Sequence, residues 1–379
     1  MTHIEQIIQD LCPNGVEWKT LGEVCEILDA KRKPVTKSQR ASGEYPYYGA
    51  NGIQDYVNDY IFDGTFLLIG EDGSVINKDK SPVINWAKGK IWVNNHAHIL
   101  SEKKDIVLLR FLYYYLQTID VSDLVWGTPP KLNQQNLRSI EIPLPPLEIQ
   151  KKIVECLDKF SALAAELQAE LHLRRKQYEY YRTHLLTPHS DGNSADKTDD
   201  CNWEWKTLGE VCEINRGVRV VRSELEQEGK YPVYQNSLTP LGYYDKCNYP
   251  ANTTFIISAG AAGKVGFSDV DFWAADDCLC IKCPEIISSK YLYYYMLDKQ
   301  DFFLSQVRHA SVPRMSRTVV ENFKLPIPPL AEQARIVSIL DKFEALTTSL
   351  SDGIPAEQAA QQKRYEYYRD KLLTFEKRP

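Results

Sequence analysis

The chain has 379 residues, of which 43% are hydrophobic and 25% are charged, and this composition suits two or three globular domains. The formal net charge of −6 excludes a uniformly basic nucleic-acid-binding protein, although local basic patches remain open. No run of about 18 apolar residues occurs and the amino-terminal residues lack a secretory pattern, so we expect no membrane span and no membrane partner. Nine cysteines, an odd number, indicate free thiols in a reducing compartment, and we therefore expect a cytoplasmic protein.

The chain contains an internal duplication. The ten residues from Trp18 to Ile27 recur unchanged from Trp205 to Ile214. Further matched motifs follow in the same order: Thr65–Ile69 with Thr254–Ser258, Tyr113–Tyr115 with Tyr293–Tyr295, Leu157–Phe160 with Leu340–Phe343, and Tyr178–Arg182 with Tyr365–Arg369. The stretches between these motifs differ in length and in sequence. Two copies of one scaffold therefore carry two different variable surfaces.

Each copy begins with a globular part, which we place at residues 1–147 and 205–330. In the first copy, short β-rich runs at Thr65–Ile69 and Lys90–Val93 are separated by Gly, Pro, Asn and Asp. A helix is predicted over Ile106–Gln117. These features predict mixed α/β domains.

A long helix is predicted over residues 148–187, after Pro145 and Pro146. Its apolar residues follow a heptad spacing at Ile149, Ile153, Cys156, Phe160, Leu163 and Leu167. A tandem tetrapeptide, residues 164–167 and 168–171, then adds a four-residue spacing. A polar linker follows over residues 188–204. The second helix, in residues 331–379, starts in the same way but should break near 351–355 at Gly353 and Pro355.

Neither helix can bury its apolar seam alone, so we expect the two to pair antiparallel. That pairing would make two pseudo-two-fold-related domains, separated by two long antiparallel spacer helices. The side chains predicted to form this spacer, or to dock another subunit on it, are Ile149, Ile153, Phe160, Leu167, Leu171, Tyr178, Tyr181, Ile336, Phe343, Leu350, Tyr365 and Tyr368.

We find no catalytic or metal-binding motif. Gly260–Gly266 resembles a phosphate-binding loop but lacks the Walker spacing, and a tight turn is the better interpretation. Cys278, Cys280 and Cys283 lack the second pair that structural zinc needs, which favours buried thiols. His96 and His98 could be two metal ligands, but a polar contact residue and a packed residue are favoured.

Basic runs occur at the same place in both copies, directly after Ile27 and after Ile214. Cationic loops can neutralise phosphates, while Arg, Asn and His can contact base edges. A solvated loop is the alternative for any single run. The candidate DNA-binding residues of the first copy are Lys31, Arg32, Lys33, Lys37, Arg40, Lys78, Lys80, Lys88, Lys90, Asn94, Asn95, His96 and Lys131. Those of the second copy are Arg216, Arg219, Arg222, Lys264, Arg308, His309, Arg314 and Arg317.

The run from Pro143 to Val154, and its counterpart from Pro326 to Val337, resemble the conserved-region signature of type I restriction–modification specificity subunits. The Leu-Asp-Lys-Phe motifs, Gly353–Glu357 and the Tyr-Glu-Tyr-Tyr-Arg motifs are similar to that family as well. The resemblance covers nearly the whole chain, in both copies and in order.

The resemblance implies that each globular part is a target recognition domain, which reads one half of an asymmetric, bipartite site in double-stranded DNA. The helices would set the gap and dock two modification subunits, which bind S-adenosylmethionine and methylate adenine. Restriction subunits would add translocation and cleavage driven by ATP with Mg²⁺. The chain itself would be non-catalytic, with no cofactor of its own.

Two other classes of function stay open at this point. The chain could be a two-domain protein–protein scaffold that does not bind DNA, since loops such as Tyr45–Tyr48 would also suit peptides. It could also be an enzyme with an unrecognised site. Retention on duplex DNA at low salt, and methyl-transfer or cleavage assays of the purified chain, would separate these three interpretations.

Overall fold

The structure is a computed structural model, and it describes residues 6, 8, 10–188, 203–349 and 352–378. The chain forms two compact units: unit one is Met1–Leu167 with Gln358–Pro379, and unit two is Gln168–Glu357. Most of the predicted linker and the predicted spacer residue Leu350 lie outside the described residues. Among the described helices, none combines the length and the apolar character that crossing a membrane requires.

The globular domain of unit one, domain one, is built on a six-stranded sheet with the order β2-β7-β5-β6-β3-β4 and a separate β1-β8 pair. Neighbouring strands are antiparallel except β3 and β6. The strands are β1 (Glu17–Thr20), β2 (Cys25–Ile27), β3 (Ser42–Gly49), β4 (Gly52–Val57), β5 (Phe62–Gly70), β6 (Ile84–Val93), β7 (Ala97–Glu102) and β8 (Glu141–Leu144). The two β-rich runs predicted from the sequence lie in β5 and β6, which confirms them.

The second half of β5, residues 66–70, is buried on both faces, because side chains alternate across a strand. Leu67 and Ile69 pack toward a helical layer, while Leu68 packs in a second core on the other face. The helices of domain one are α1 (Leu21–Val24), α2 (Leu109–Leu116) and α3 (Gln134–Ser139). Helix α2 begins three residues later than predicted, and the backbone N–H of Leu108, the residue before it, donates to Gln150 Oε1 at 2.9 Å.

The first spacer helix, α4 (Leu147–Leu186), has 40 residues and confirms the predicted long helix. Its buried face differs in one place from the predicted heptad seam, because Leu157 is fully buried while Cys156 is only half-buried. Leu157 packs in the core of domain one, so a 3.6-residue helical period governs this part of α4.

The globular domain of unit two, domain two, has the same framework with shorter strands. It contains the sheets β10-β16-β13-β14 and β12-β11-β15, and the pair β17-β9. Its strands are β9 (Glu204–Thr207), β10 (Glu213–Arg216), β11 (Tyr231–Tyr234), β12 (Gly242–Tyr244), β13 (Thr253–Ile257), β14 (Val265–Ser268), β15 (Trp273–Ala274), β16 (Cys278–Lys282) and β17 (Lys324–Ile327). Its helices are α5 (Leu208–Val211), α6 (Ser289–Asp298), α7 (Gln300–Ser305) and α8 (Arg317–Glu321).

The second spacer consists of two helices, α9 (Leu330–Thr348) and α10 (Ile354–Leu373). This confirms the break predicted near residues 351–355. Gly353 allows the close approach at the break, since a Cβ atom there would lie 2.6 Å from the carbonyl oxygen of Ala345. Pro355 stands in the first turn of α10, where proline is tolerated.

Each unit contains spacer helices from both copies, joined through matched aromatic residues. In unit one, Phe160 stacks on Tyr368 with ring centroids 5.5 Å apart. In unit two, Phe343 stacks on Tyr181 at 5.4 Å. Lys377, near the end of the chain, pairs at 2.7 Å with Glu141 of β8, the strand that precedes α4. Helices α4 and α10 therefore run antiparallel within unit one, as predicted.

Candidate DNA interface

One set of loops gathers at the end of the sheet in domain one. The N–H of Glu71, after β5, donates to the carbonyl of His96, before β7, at 2.8 Å. The N–H of Leu132 donates to the carbonyl of Glu71 at 2.9 Å, and the N–H of Gly73 donates to that of Pro130 at 3.0 Å. We call these loops, residues 29–33, 71–73, 94–96 and 126–132, loop edge one.

Domain two repeats these backbone contacts. Ser258 N–H donates to the Asp277 carbonyl at 2.7 Å, and Met315 N–H donates to that of Ser258 at 2.9 Å. The N–H of Gly260 donates to the Pro313 carbonyl at 3.1 Å. We call residues 216–219, 258–260, 275–277 and 308–315 loop edge two. The two variable surfaces predicted from the sequence thus share one backbone framework.

The matched contacts correct one equivalence drawn from the sequence, which placed Thr65 opposite Thr254. Glu71 is equivalent to Ser258, so Leu67 is the residue equivalent to Thr254. The cross-strand register agrees, because Leu67 pairs with Leu100 and Thr254 pairs with Ile281. An alignment of two apolar strands can be shifted by two residues without an obvious mismatch, since a two-residue shift keeps the same face of the strand buried.

A buried polar network supports loop edge one. His98 is fully buried, and its Nδ1 lies 2.6 Å from Asp29 Oδ2 while its Nε2 lies 2.8 Å from the Leu132 carbonyl. Both ring nitrogens therefore lie within hydrogen-bond distance of an oxygen atom from another part of the domain. Arg32 contacts Glu71 and lies 3.5 Å from Asp29. These side chains thereby connect the loops at residues 29–33, 71–73 and 126–132 with strand β7.

Asp29 is the centre of this network. Burial acts to raise the pKa of Asp29, but hydrogen bonds from His98, the Ile99 N–H and Gln134 outweigh burial and hold the pKa below its ordinary value. The acceptor atoms of Asp29, Glu71 and His98 lie within 4.8 Å of one another, which is compatible with a metal ion. The guanidinium of Arg32 already lies against both carboxylates, so we call this network, Asp29, Arg32, Glu71 and His98, the polar clamp.

Loop edge two carries different side chains on the same framework. The positive charges of Arg216 and Arg314 both interact electrostatically with the carboxyl group of Asp277. Burial and the neighbouring Asp276 raise the pKa of Asp277, and the two arginines oppose that shift. The residue equivalent to the buried His98 is Leu279, which is also fully buried. The polar clamp is therefore specific to domain one.

Most predicted DNA-binding side chains are exposed. Loop edge one brings together Lys31, Lys33, Asn95, His96 and Lys131, and loop edge two brings together Arg216, Arg219, Arg308, His309 and Arg314. The other exposed candidates lie away from the loop edges: Lys37, Lys78, Lys80, Lys88, Lys90, Arg222, Lys264 and Arg317. Two of these are paired within the chain, as Lys80 lies 3.3 Å from Asp120 and Arg317 lies 2.7 Å from Glu321.

Three of the predicted DNA-binding residues already have partners within the chain. Asn94 is 4% exposed, and its side chain accepts from the His96 N–H at 2.8 Å, so it shapes the loop from inside. Arg32 is enclosed by the clamp described above. Arg40 pairs with Asp55 at 3.3 Å and lies over the Tyr47 ring at 4.1 Å. Sequence reasoning counts positive charges and polar groups but does not show which of them already have an internal partner.

A buried glutamine holds the backbone in place where a spacer helix begins in each domain. Neither glutamine is among the candidate residues predicted from the sequence. Gln150 is fully buried; it accepts from the Leu108 N–H at 2.9 Å and donates to the Pro145 carbonyl at 2.9 Å. Gln333 does the same in domain two, accepting from the Ser288 N–H at 2.8 Å and donating to the Pro328 carbonyl at 2.8 Å. The repeated Pro-Pro-Leu-x-x-Gln pattern is the sequence signal that could have identified these two glutamines.

A second matched contact ties the domain helices to the spacer. Tyr114 on α2 donates to Asp158 at 2.5 Å, and Tyr294 on α6 donates to Asp341 at 2.6 Å. Burial, together with these carboxylates, raises the pKa of both tyrosines. The predicted spacer residues Ile149, Ile153, Leu167, Leu171 and Ile336 are buried within the chain. They can hold the spacer together, but they are not accessible for docking another subunit.

The family model for the type I restriction modification DNA specificity domain matches residues 13–173 and again residues 201–358. The chain belongs to this family. A specificity subunit of a type I restriction enzyme from Haemophilus influenzae is 38% identical, over 99% of this chain and 98% of that protein. The EcoR124I/EcoR124II specificity subunit of Escherichia coli is 29% identical, over 100% of this chain and 98% of that protein.

A solved structure supports the same fold. The crystal structure of the S subunit of a type I restriction-modification system from M. genitalium matches with a TM-score of 0.66 at 18% identity, covering 95% of this chain and 96% of that one. Specificity subunits are the non-catalytic subunits of these systems, which confirms that this chain is not itself the enzyme.

The glycine-rich loop and the cysteines, which were not assigned to a catalytic or metal site from the sequence, have structural roles in this specificity subunit. Gly260 and Gly263 take left-handed conformations, with φ values of 82° and 81°, in the turn between β13 and β14. Cys278 and Cys280 are fully buried core residues, as predicted. Burial raises the pKa of the Cys278 thiol to about 12. His98 is packed, as expected, while His96 is exposed and its contact role stays a prediction.

Proposed function

We propose that loop edge one and loop edge two each read one half of a bipartite site in double-stranded DNA. The observation that carries this proposal is one backbone framework presenting two different sets of exposed polar and basic side chains. Structural packing alone gives no reason for equivalent loops to differ in this way. Two readers of unlike sequences require that difference.

Phosphate contacts by the exposed cations supply affinity, and contacts to base edges supply the sequence preference. No segment of the chain is strongly basic, and the whole chain carries a net charge of −6. Binding by the chain alone is therefore weak and salt-sensitive, since each phosphate contact is lost as salt competes. Tight binding needs phosphate contacts from partner subunits.

The spacer helices set the gap between the two half-sites. Helix α4 has 40 residues and is about 60 Å long at a rise of about 1.5 Å per residue. Gln150 and Gln333 fix the backbone where a spacer helix begins in each domain, so the helix direction is coupled to that domain. A change of helix length then becomes a change of distance along DNA.

The partners of the chain in this proposal are two modification subunits, which bind S-adenosylmethionine and methylate adenine, and restriction subunits that use ATP and Mg²⁺. The chain itself binds no cofactor. It acts in the cytoplasm, where its DNA lies.

Methylome sequencing tests the modular recognition. Residues 205–330 are replaced by the second recognition domain of another specificity subunit, and the complex with modification subunits is expressed in a host that lacks other methylases. We expect one half-site to change while the other half and the gap stay the same. A change in both halves would contradict the proposal. Absence of duplex retention at low salt, with and without modification subunits, would instead favour a protein scaffold.

A further inference from the structure

A rigid hairpin projects from loop edge one. It is closed by two backbone hydrogen bonds between Trp126 and Lys131, at 3.0 and 2.8 Å, and it is pinned to the end of β5 through the bridge between Asp72 and Lys131. A further bond, from Asn136 Nδ2 to the Leu124 carbonyl at 2.7 Å, holds its base on α3. The hairpin tip contains two prolines, which restrict its backbone.

The hairpin has an equivalent at the same place in domain two. Arg308 and Arg314 exchange backbone hydrogen bonds at 2.8 and 3.1 Å, and Arg314 forms the bridge to Ala259 after β13. Lys131 is therefore equivalent to Arg314, and Trp126 is equivalent to Arg308. The framework places an indole at one loop edge and a guanidinium at the other.

The exposure of Trp126 is unusual for its residue type. Its side chain is 68% exposed, more than that of any other large hydrophobic residue among the described residues. Tryptophan is enriched at interfaces, because its indole combines a large apolar body with a polar N–H group, so Trp126 on this braced loop suits a contact surface. The neighbouring side chains are polar: Lys131 lies 3.5 Å from Glu71, and His96 lies 3.6 Å from Asp72.

We propose that Trp126 is a specificity-determining residue, whose indole contacts the C5-methyl group of a thymine in the half-site read by domain one. This inference rests on the proposed function and adds to it the element and the base type. The methyl group of thymine is the apolar feature of the major groove, and an indole matches it. Arg308 occupies the equivalent position in domain two, which reads the other half-site, and its guanidinium suits guanine O6 and N7.

The test compares Trp126→Ala, Trp126→Phe and Arg308→Ala in the complex with modification subunits. Initial methylation rates are measured on duplexes carrying single base-pair changes, and the methylome is sequenced. Trp126→Ala should reduce the preference for one A·T pair by up to about 5- to 150-fold, the range that one mismatched base pair costs in a specific site. Trp126→Phe should retain most of that preference. Arg308→Ala should relax one position in the other half-site only.

Leu173→Ala is the matched control, because Leu173 is 64% exposed but lies on α4, away from the loops. It should leave both half-sites unchanged. The inference is overturned if Trp126→Ala keeps the wild-type preference at every position, or if it alters the half-site assigned to domain two. If the wild-type complex shows no bipartite motif at all, the proposed function fails instead.

Discussion

Removing the charge of Asp29 should destabilise domain one selectively. The carboxylate is 7% exposed and accepts hydrogen bonds from His98 at 2.6 Å, from the Ile99 N–H at 3.0 Å and from Gln134 at 2.9 Å. In Asp29→Asn the amide cannot accept through both terminal atoms. His98 and Arg32 then share only the remaining carboxylate, that of Glu71.

The size of the effect depends on burial. Breaking a buried ion pair by removing one partner costs about 3–5 kcal/mol. We expect about 3 kcal/mol for Asp29→Asn, because Glu71 still lies 3.6 Å from His98. Asp63→Asn is the control, since Asp63 is exposed on β5 and should change stability by less than about 0.5 kcal/mol.

The assay is urea unfolding of the full chain, followed through the transition of domain one at several pH values. The pKa of Asp29 is lowered by folding, so its charge stabilises the folded state above the ordinary carboxyl pKa of about 3.9. That contribution is lost as pH falls through the lowered value. The difference between wild type and Asp29→Asn should therefore be constant above about pH 5 and shrink on acidification.

Two results would refute this reasoning. Asp29→Asn could match Asp63→Asn in stability, which would mean that the network carries no net energy. The stability difference could also grow as the pH falls, which would give Asp29 the opposite linkage to the one its hydrogen bonds indicate.

Two further predictions concern the spacer junction and the phosphate contacts. Gln150→Leu removes the partners of buried backbone groups at Leu108 and Pro145, and we expect a loss of about 2–4 kcal/mol in unfolding measurements. Glu155→Leu, at an exposed position on α4, should be near neutral, and equal losses in both would contradict the junction role. Arg219→Ala should weaken binding to all sequences and reduce the slope of log K against log salt by about 1. Arg317→Ala is the control, since Arg317 is already paired with Glu321 within the chain. A changed base preference in Arg219→Ala would contradict a pure phosphate contact.

The repeated elements could be predicted from sequence because their signals are local. The proline pairs mark the start of each spacer, and Gly353 with Pro355 marks the break between α9 and α10. The aromatic stack of Phe160 on Tyr368 is consistent with pairing the helices antiparallel. These features depend on backbone preferences and on apolar periodicity, which a single sequence displays.

The candidate site could be predicted only in part. Whether a cation is free depends on residues far apart in the chain: Arg32 meets Glu71 only because two loops converge. Asn94 is a candidate DNA-binding residue in the sequence, yet its side chain lies inside its loop. Trp126 carries no charge and belongs to no basic run, so its distinguishing property, exposure on a folded hairpin, becomes visible only in the structure.

The most direct test of the central claim changes the helix and leaves both readers intact. Deleting Gln168–Leu171, one tetrapeptide of α4, shortens the helix by about 6 Å and rotates the remainder of the helix by about 40°. Methylome sequencing of a host carrying the variant complex should reveal two unchanged half-sites separated by a shorter gap. An unchanged gap, or a change in either half-site, would contradict the account.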